Sequence, residues 1–113
     1  MKPNKILVII FTLIIILGSS IPGKNVPDLY LFRLDKILHI LEYYILGYLL
    51  INALNGKTNF PGLLTFVLGL IFGVIDEIYQ STVFGRFPSS FDVFANAIGL
   101  TLSIVLYQKF LKK

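Results

Sequence analysis

Between Ile6 and Gly23, and again between Thr58 and Ile75, the chain carries no charged residue. A helix that crosses a hydrocarbon core of roughly 30 Å needs about 20 mostly apolar residues. In lipid a helix also satisfies its own backbone hydrogen bonds, which a loose segment cannot do. Two further stretches fit the same need. Ile37 to Gly56 is broken only by His39 and Glu42, and Val93 to Gln108 is uncharged. Only 14% of the 113 residues are charged, against about 25% in an average soluble domain, so lipid replaces a water-excluded core. The mean hydropathy of +0.82 agrees.

The expected fold is therefore all-α: one membrane domain over residues 1–113, a bundle of four transmembrane helices with both termini on the cytoplasmic side. The approximate spans are 6–23, 37–55, 60–78 and 92–108. The first segment has signal-peptide features in Lys2, Lys5 and the small residues Gly18, Ser19 and Ser20. Its apolar run is long for a signal sequence and no clear A-x-A site follows, so it reads as a span. Pro22, Gly23 and Pro27 break the first connection, "NGKTNFP" (Asn55–Pro61) marks a tight turn, and Gly85 and Pro88 lie in the third.

The chain has no cysteine, which excludes a disulfide framework, a thiolate nucleophile and a Cys-based metal site. A sequence pI of 9.4 does not argue for nucleic acid, because the positive residues sit mainly near the termini. Sorted by side, Lys2, Lys5, Lys57, Lys109, Lys112 and Lys113 share the terminal side with no acid. Lys24, Arg33, Lys36 and Arg86 share the other side with all six acids, Asp28, Asp35, Glu42, Asp76, Glu77 and Asp92. The Lys and Arg excess places the termini in the cytoplasm. The acids, and any chemistry they carry, then face outward.

Three helix ends on that outer side carry polar residues at helical spacing. Asp35, His39 and Glu42 open the second span; Asp76, Glu77 and Gln80 close the third; Asp92 and Asn96 open the fourth. An ionisable group in the apolar region costs a few kcal/mol or more, so it normally faces the bundle interior, a partner or water. Plainer roles compete with function. Asp35 suits a helix start, and Ser89-Ser90-Phe91-Asp92 fits a capping box. Asn96 suits a hydrogen bond between helices, and His39 an interfacial position. Asp76 and Glu77 sit at a helix end whose dipole disfavours negative charge, so a counter-charge is expected, with Arg86 the obvious choice. Gly69-x-x-x-Gly73 and Ala95-x-x-x-Gly99 are small-residue faces that allow close helix approach.

Taken together, Asp35-Lys36-x-x-His39 with Glu42-Tyr43 and Gly47, then Asp76-Glu77-x-x-Gln80, Gly85-Arg86 and Asp92-x-x-x-Asn96-x-x-Gly99, resemble the VanZ-like family of small bacterial membrane proteins. Phe84 stands where the family often has proline, and Ser103 where it often has a second glycine. The resemblance implies a multi-pass protein of the bacterial cytoplasmic membrane acting at the cell envelope. The family takes its name from an accessory protein of glycopeptide resistance, associated with teicoplanin more than vancomycin.

Three functions are then in play. The first is a non-enzymatic binder at the outer leaflet, holding a lipid head group or an envelope precursor among membrane lipids. The second is a membrane-embedded enzyme acting on a lipid-linked phosphate or ester. There His39 would serve as acid or base, carboxylates would orient it or bind Mg²⁺ or another hard cation, and Arg86 would clamp phosphate. The absence of H-E-x-x-H, G-x-S-x-G and a phosphate-cradling loop weighs against it. The third, a transporter, lacks a polar site at the midplane. The sequence specifies no cofactor, ligand or oligomeric state.

Overall fold

The structure is a computed structural model that describes residues 3–19, 33–83 and 90–111, with side chains described over 5–18, 37–83 and 91–110. Four α-helices and no strand occupy the described residues: α1 (Pro3–Ser19), α2 (Arg33–Leu54), α3 (Pro61–Gln80) and α4 (Ser90–Leu106). A π-helical turn, Tyr107–Leu111, continues α4. Three stretches are long and apolar enough to cross a membrane: Ile37–Leu54, Pro61–Gln80 and Phe91–Phe110. The apolar part of α1, Lys5–Gly18, is shorter, and residues 20–23 of the expected first span lie outside the described residues.

The turn between α2 and α3 has a simple local cause. Gly56 takes φ +82°, a left-handed conformation that ends a helix without a side-chain clash. The last carbonyls of α2 are satisfied around it: Asn55 N–H donates to Ile51 O at 2.9 Å and Lys57 N–H to Leu54 O at 3.0 Å. Pro61 then opens α3, where its missing N–H costs nothing.

Helix α2 and helix α4 run parallel. Their register is fixed by three pairs along their length: His39 with Asn96, Gly47 with Ser103, and Asn52 with Tyr107. Close approach depends on glycine. A Cβ at Gly99 would collide with the Ile40 carbonyl and lie 2.9 Å from the Tyr44 nitrogen. One at Gly47 would collide with the Ser103 hydroxyl. Ser103 is accommodated because its hydroxyl folds back to donate to Leu100 O at 2.8 Å.

Helix α3 is antiparallel to both. Gly73 lies against Asn96 and Tyr43, Gly69 against Leu100, and Gly62 against Ile104 and Gln108. Its buried residues are Gly62, Thr65, Gly69, Gly73, Asp76, Glu77 and Gln80. Not one is a large apolar residue. Except for Leu70, which packs against the core, its Leu, Ile and Val side chains are exposed, with Ile78 64% exposed. Water would punish that arrangement. Lipid does not, because acyl chains solvate leucine as well as a protein core does, and helices then associate through small and polar faces.

The apolar centre is small. Ile15 of α1, Tyr43 and Leu46 of α2, and Leu100 of α4 form it, with Phe11, Leu50 and Phe66 packed at its edge. This topology brings the N-terminal ends of α2 and α4 and the C-terminal end of α3 to one end of the bundle.

Candidate functional site

At that end, His39 of α2 meets Asp92 and Asn96 of α4. The spacing explains why. Asp92 and Asn96 are one turn apart on a mostly apolar helix, and both turn toward the protein. His39 is buried, and its Nδ1–H donates to Asn96 Oδ1 at 2.9 Å. The amide oxygen can only accept, so this bond puts the Nδ1 proton in place. The other ring nitrogen, Nε2, faces Asp92 Oδ2 at 3.7 Å, a distance suited to an ion pair when the ring is doubly protonated.

Helix α3 supplies the third wall. Glu77 is buried, and one of its carboxylate oxygens lies within 4.8 Å of ligand-type atoms of both His39 and Asp92. Asp76 and Gln80 are buried on the same stripe of α3. Among the described residues, His39, Glu77 and Asp92 are the one group of three His, Asp or Glu side chains placed to share a ligand.

The other residues expected at this site divide in two. Glu42 is only partly buried, on the flank of the α2 face that carries His39 and Tyr43. The backbone of Asp35 lies in the first turn of α2, but its side chain, like all of Arg86, is outside the described residues. Ser89 of the expected capping box is outside them too.

Two residues belong to this site that polarity alone does not single out. Tyr43 is fully buried one turn beyond His39, and its hydroxyl has no hydrogen-bond partner among the described residues. The signal for it is the i, i+4 spacing from His39. Gly73 is the second. A Cβ there would meet Asn96 Nδ2 at 2.9 Å and the Tyr43 ring at 3.3 Å. Glycine at this position lets both side chains lie against α3.

The family model described as VanZ/LLP1 matches residues 3–112, nearly the whole chain. The chain belongs to the VanZ/LLP1 family. Among curated proteins and solved structures none matches it. In this VanZ-family chain the described part of the ordered motif that carried the resemblance falls on three helix ends that meet, with His39, Glu77, Asp92 and Asn96 drawn from all three.

Such an arrangement has defined chemical capacity. A buried imidazole held at Nδ1 presents Nε2 in a fixed direction as a proton acceptor, donor or ligand. Adjacent carboxylates accept hydrogen bonds from hydroxyl or ammonium groups and bind cations. The apolar exterior confines these functions to one end of the bundle.

Proposed function

We propose that this VanZ-family chain is a multi-pass protein of the bacterial cytoplasmic membrane, with both termini in the cytoplasm, that acts at the cell envelope. Its polar site lies at the extracytoplasmic face and holds a lipid head group or a lipid-linked envelope precursor. One observation carries the reading: the buried His39, Glu77, Asp92 and Asn96 converge at a single end of a bundle whose outer surface is apolar. Buried polar groups in a membrane are costly and mark sites of function by default. The Lys and Arg excess on the terminal side supports the orientation.

A ligand at the outer leaflet gives a route to glycopeptide protection that distinguishes teicoplanin, which carries an acyl chain, from vancomycin. The test is susceptibility of a sensitive Gram-positive host expressing the chain, against both drugs. Wild type is compared with Glu77→Gln and Arg86→Gln at matched membrane levels. Selective protection from teicoplanin that both variants lose supports the reading. No protection at verified expression removes the resistance role.

The second reading is a membrane-embedded enzyme acting on a lipid-linked phosphate or ester. What favours it is the Asn96–His39 bond, which fixes the ring as acid–base catalysis requires. Purified protein in lipid nanodiscs, assayed for release of phosphate or acyl groups from envelope lipids, tests it. Turnover that His39→Gln abolishes, with folding intact, would establish an enzyme.

A further inference from the structure

Three side chains from three helices converge on one point. A ring nitrogen of His39 and a carboxylate oxygen each of Glu77 and Asp92 lie within 4.8 Å of one another, and all three residues are buried. Ligand bonds of about 2.1 Å place neighbouring ligand atoms roughly 3 to 3.5 Å apart around a small divalent cation. The 3.7 Å between His39 Nε2 and Asp92 Oδ2 is close to that span, and the Glu77 oxygen lies within 4.8 Å of both partners.

The ligand chemistry is consistent with the geometry. With its Nδ1–H donated to Asn96, His39 turns the Nε2 lone pair toward Asp92. Metal-bound histidines usually donate their other N–H to an oxygen acceptor in this way, which fixes ring orientation. Two carboxylates also balance the charge of a divalent ion, which matters in a low-dielectric site.

A separate observation points to a ligand atom one turn along α3 from Glu77. Asn96 Nδ2 and the Tyr43 hydroxyl are fully buried and have no hydrogen-bond partner among the described residues. Asn96 is tied to His39 through its oxygen, and both side chains lie together at Gly73, one turn from Glu77. Buried donors so placed call for an oxygen atom, either water or a phosphoryl oxygen.

We propose that His39, Glu77 and Asp92 form a divalent-cation site, with Asn96 as the positioning residue for His39. The remaining coordination positions are left to water or to a phosphate oxygen near Asn96 and Tyr43. A mixed nitrogen and oxygen donor set selects a first-row cation, Zn²⁺ or Mn²⁺, over Mg²⁺ or Ca²⁺. The site shares its residues with the envelope reading, but its test reads metal on purified protein, so each can fail alone.

The chain has one histidine, so the experiment is clean. Protein purified without a histidine tag is stripped with chelator and titrated with Zn²⁺ and, separately, Mn²⁺. Retained metal is counted by mass spectrometry and the single imidazole is followed by ¹⁵N NMR. We expect a single ion per chain and a shift of the Nε2 resonance on Zn²⁺ binding, with Nδ1 still protonated, and its loss by paramagnetic broadening with Mn²⁺. Asp92→Asn and Glu77→Gln should each weaken affinity at least about tenfold, and Asn96→Ala by roughly 10- to 100-fold. An unmoved Nε2 resonance in the folded wild type overturns the site without recourse to any variant. Equal affinity in wild type and Asp92→Asn overturns it as well. A wild type that protects from teicoplanin but binds neither ion refutes the cation site and leaves the envelope reading standing.

Discussion

Gly99→Ala adds one methyl group where α4 lies directly against the backbone of α2. An ideal Cβ at Gly99 collides with the Ile40 carbonyl oxygen and lies 2.9 Å from Tyr44 N and 3.2 Å from Ile40 C. Ordinary contacts for such an atom are 3.4–4 Å. The obstacles are backbone atoms in the middle of α2, so no rotamer change relieves them. The helices must move apart by on the order of an ångström, losing dispersion contacts of about 0.1–0.2 kcal/mol each along the seam. Overpacking of this kind costs about 1–3 kcal/mol. Alanine's better helix propensity returns at most about 1 kcal/mol. The clash therefore wins, and a net loss of about 1–2 kcal/mol is expected. Gly18→Ala is the control: nothing lies within 4 Å of its Cβ position, so only the propensity gain remains. Gly73→Ala should fall between them, since it meets the side chains of Asn96 and Tyr43 rather than backbone. Equilibrium unfolding in mixed detergent micelles orders the three. The site should respond as well. Gly99 is three residues from Asn96, so separation of α2 and α4 should lengthen the His39–Asn96 bond and move the imidazole ¹⁵N resonances. A Gly99→Ala protein as stable as Gly18→Ala would refute the α2–α4 packing.

Asn96→Ala leaves the buried Nδ1–H of His39 without its acceptor and should cost about 1–3 kcal/mol, measured by the same unfolding titration. Tyr107→Phe removes the 3.1 Å hydrogen bond to Asn52 at the opposite end of the seam; interhelical bonds in membranes are worth about 0.6 kcal/mol and at most about 1.7 kcal/mol, so the loss should be small. Because the chain has no cysteine, single substitutions report topology without background. An impermeant maleimide should label Thr82→Cys on intact cells and Lys57→Cys only after permeabilisation, and the opposite pattern would invert the proposed orientation.

Much of the site is legible in the sequence because polar residues at helical spacing on an apolar segment have few places to go. His39, Asp92 and Asn96 are such residues, and the structure joins them. The pairing of α2 with α4 is not legible in the same way. It depends on Gly99 meeting the Ile40 carbonyl and Gly47 meeting Ser103, contacts between distant residues that no local period encodes. Ser103, where the family often has glycine, fits only because its hydroxyl turns back on its own helix. Tyr43 and Glu42 show the same limit on α2. Read by polarity, Glu42 is the notable residue and Tyr43 its apolar flank. Yet Tyr43 is fully buried and Glu42 is not, because the buried face of α2 runs through His39, Tyr43, Leu46 and Gly47.

Helix α3 shows what pattern would have revealed more. In water, the buried face of a helix is its apolar stripe. In lipid that expectation reverses, since leucine and isoleucine gain nothing by turning inward and small residues gain close contact. Gly62, Thr65, Gly69, Gly73, Asp76 and Gln80 then read as one continuous stripe at steps of three and four, the buried face of the helix. Asp76 and Glu77 are the last turns of that stripe, not charges stranded at a helix end. The same glycines that bring α3 against its neighbours carry the Glu77 carboxylate to His39 and Asp92, so packing and site derive from one pattern.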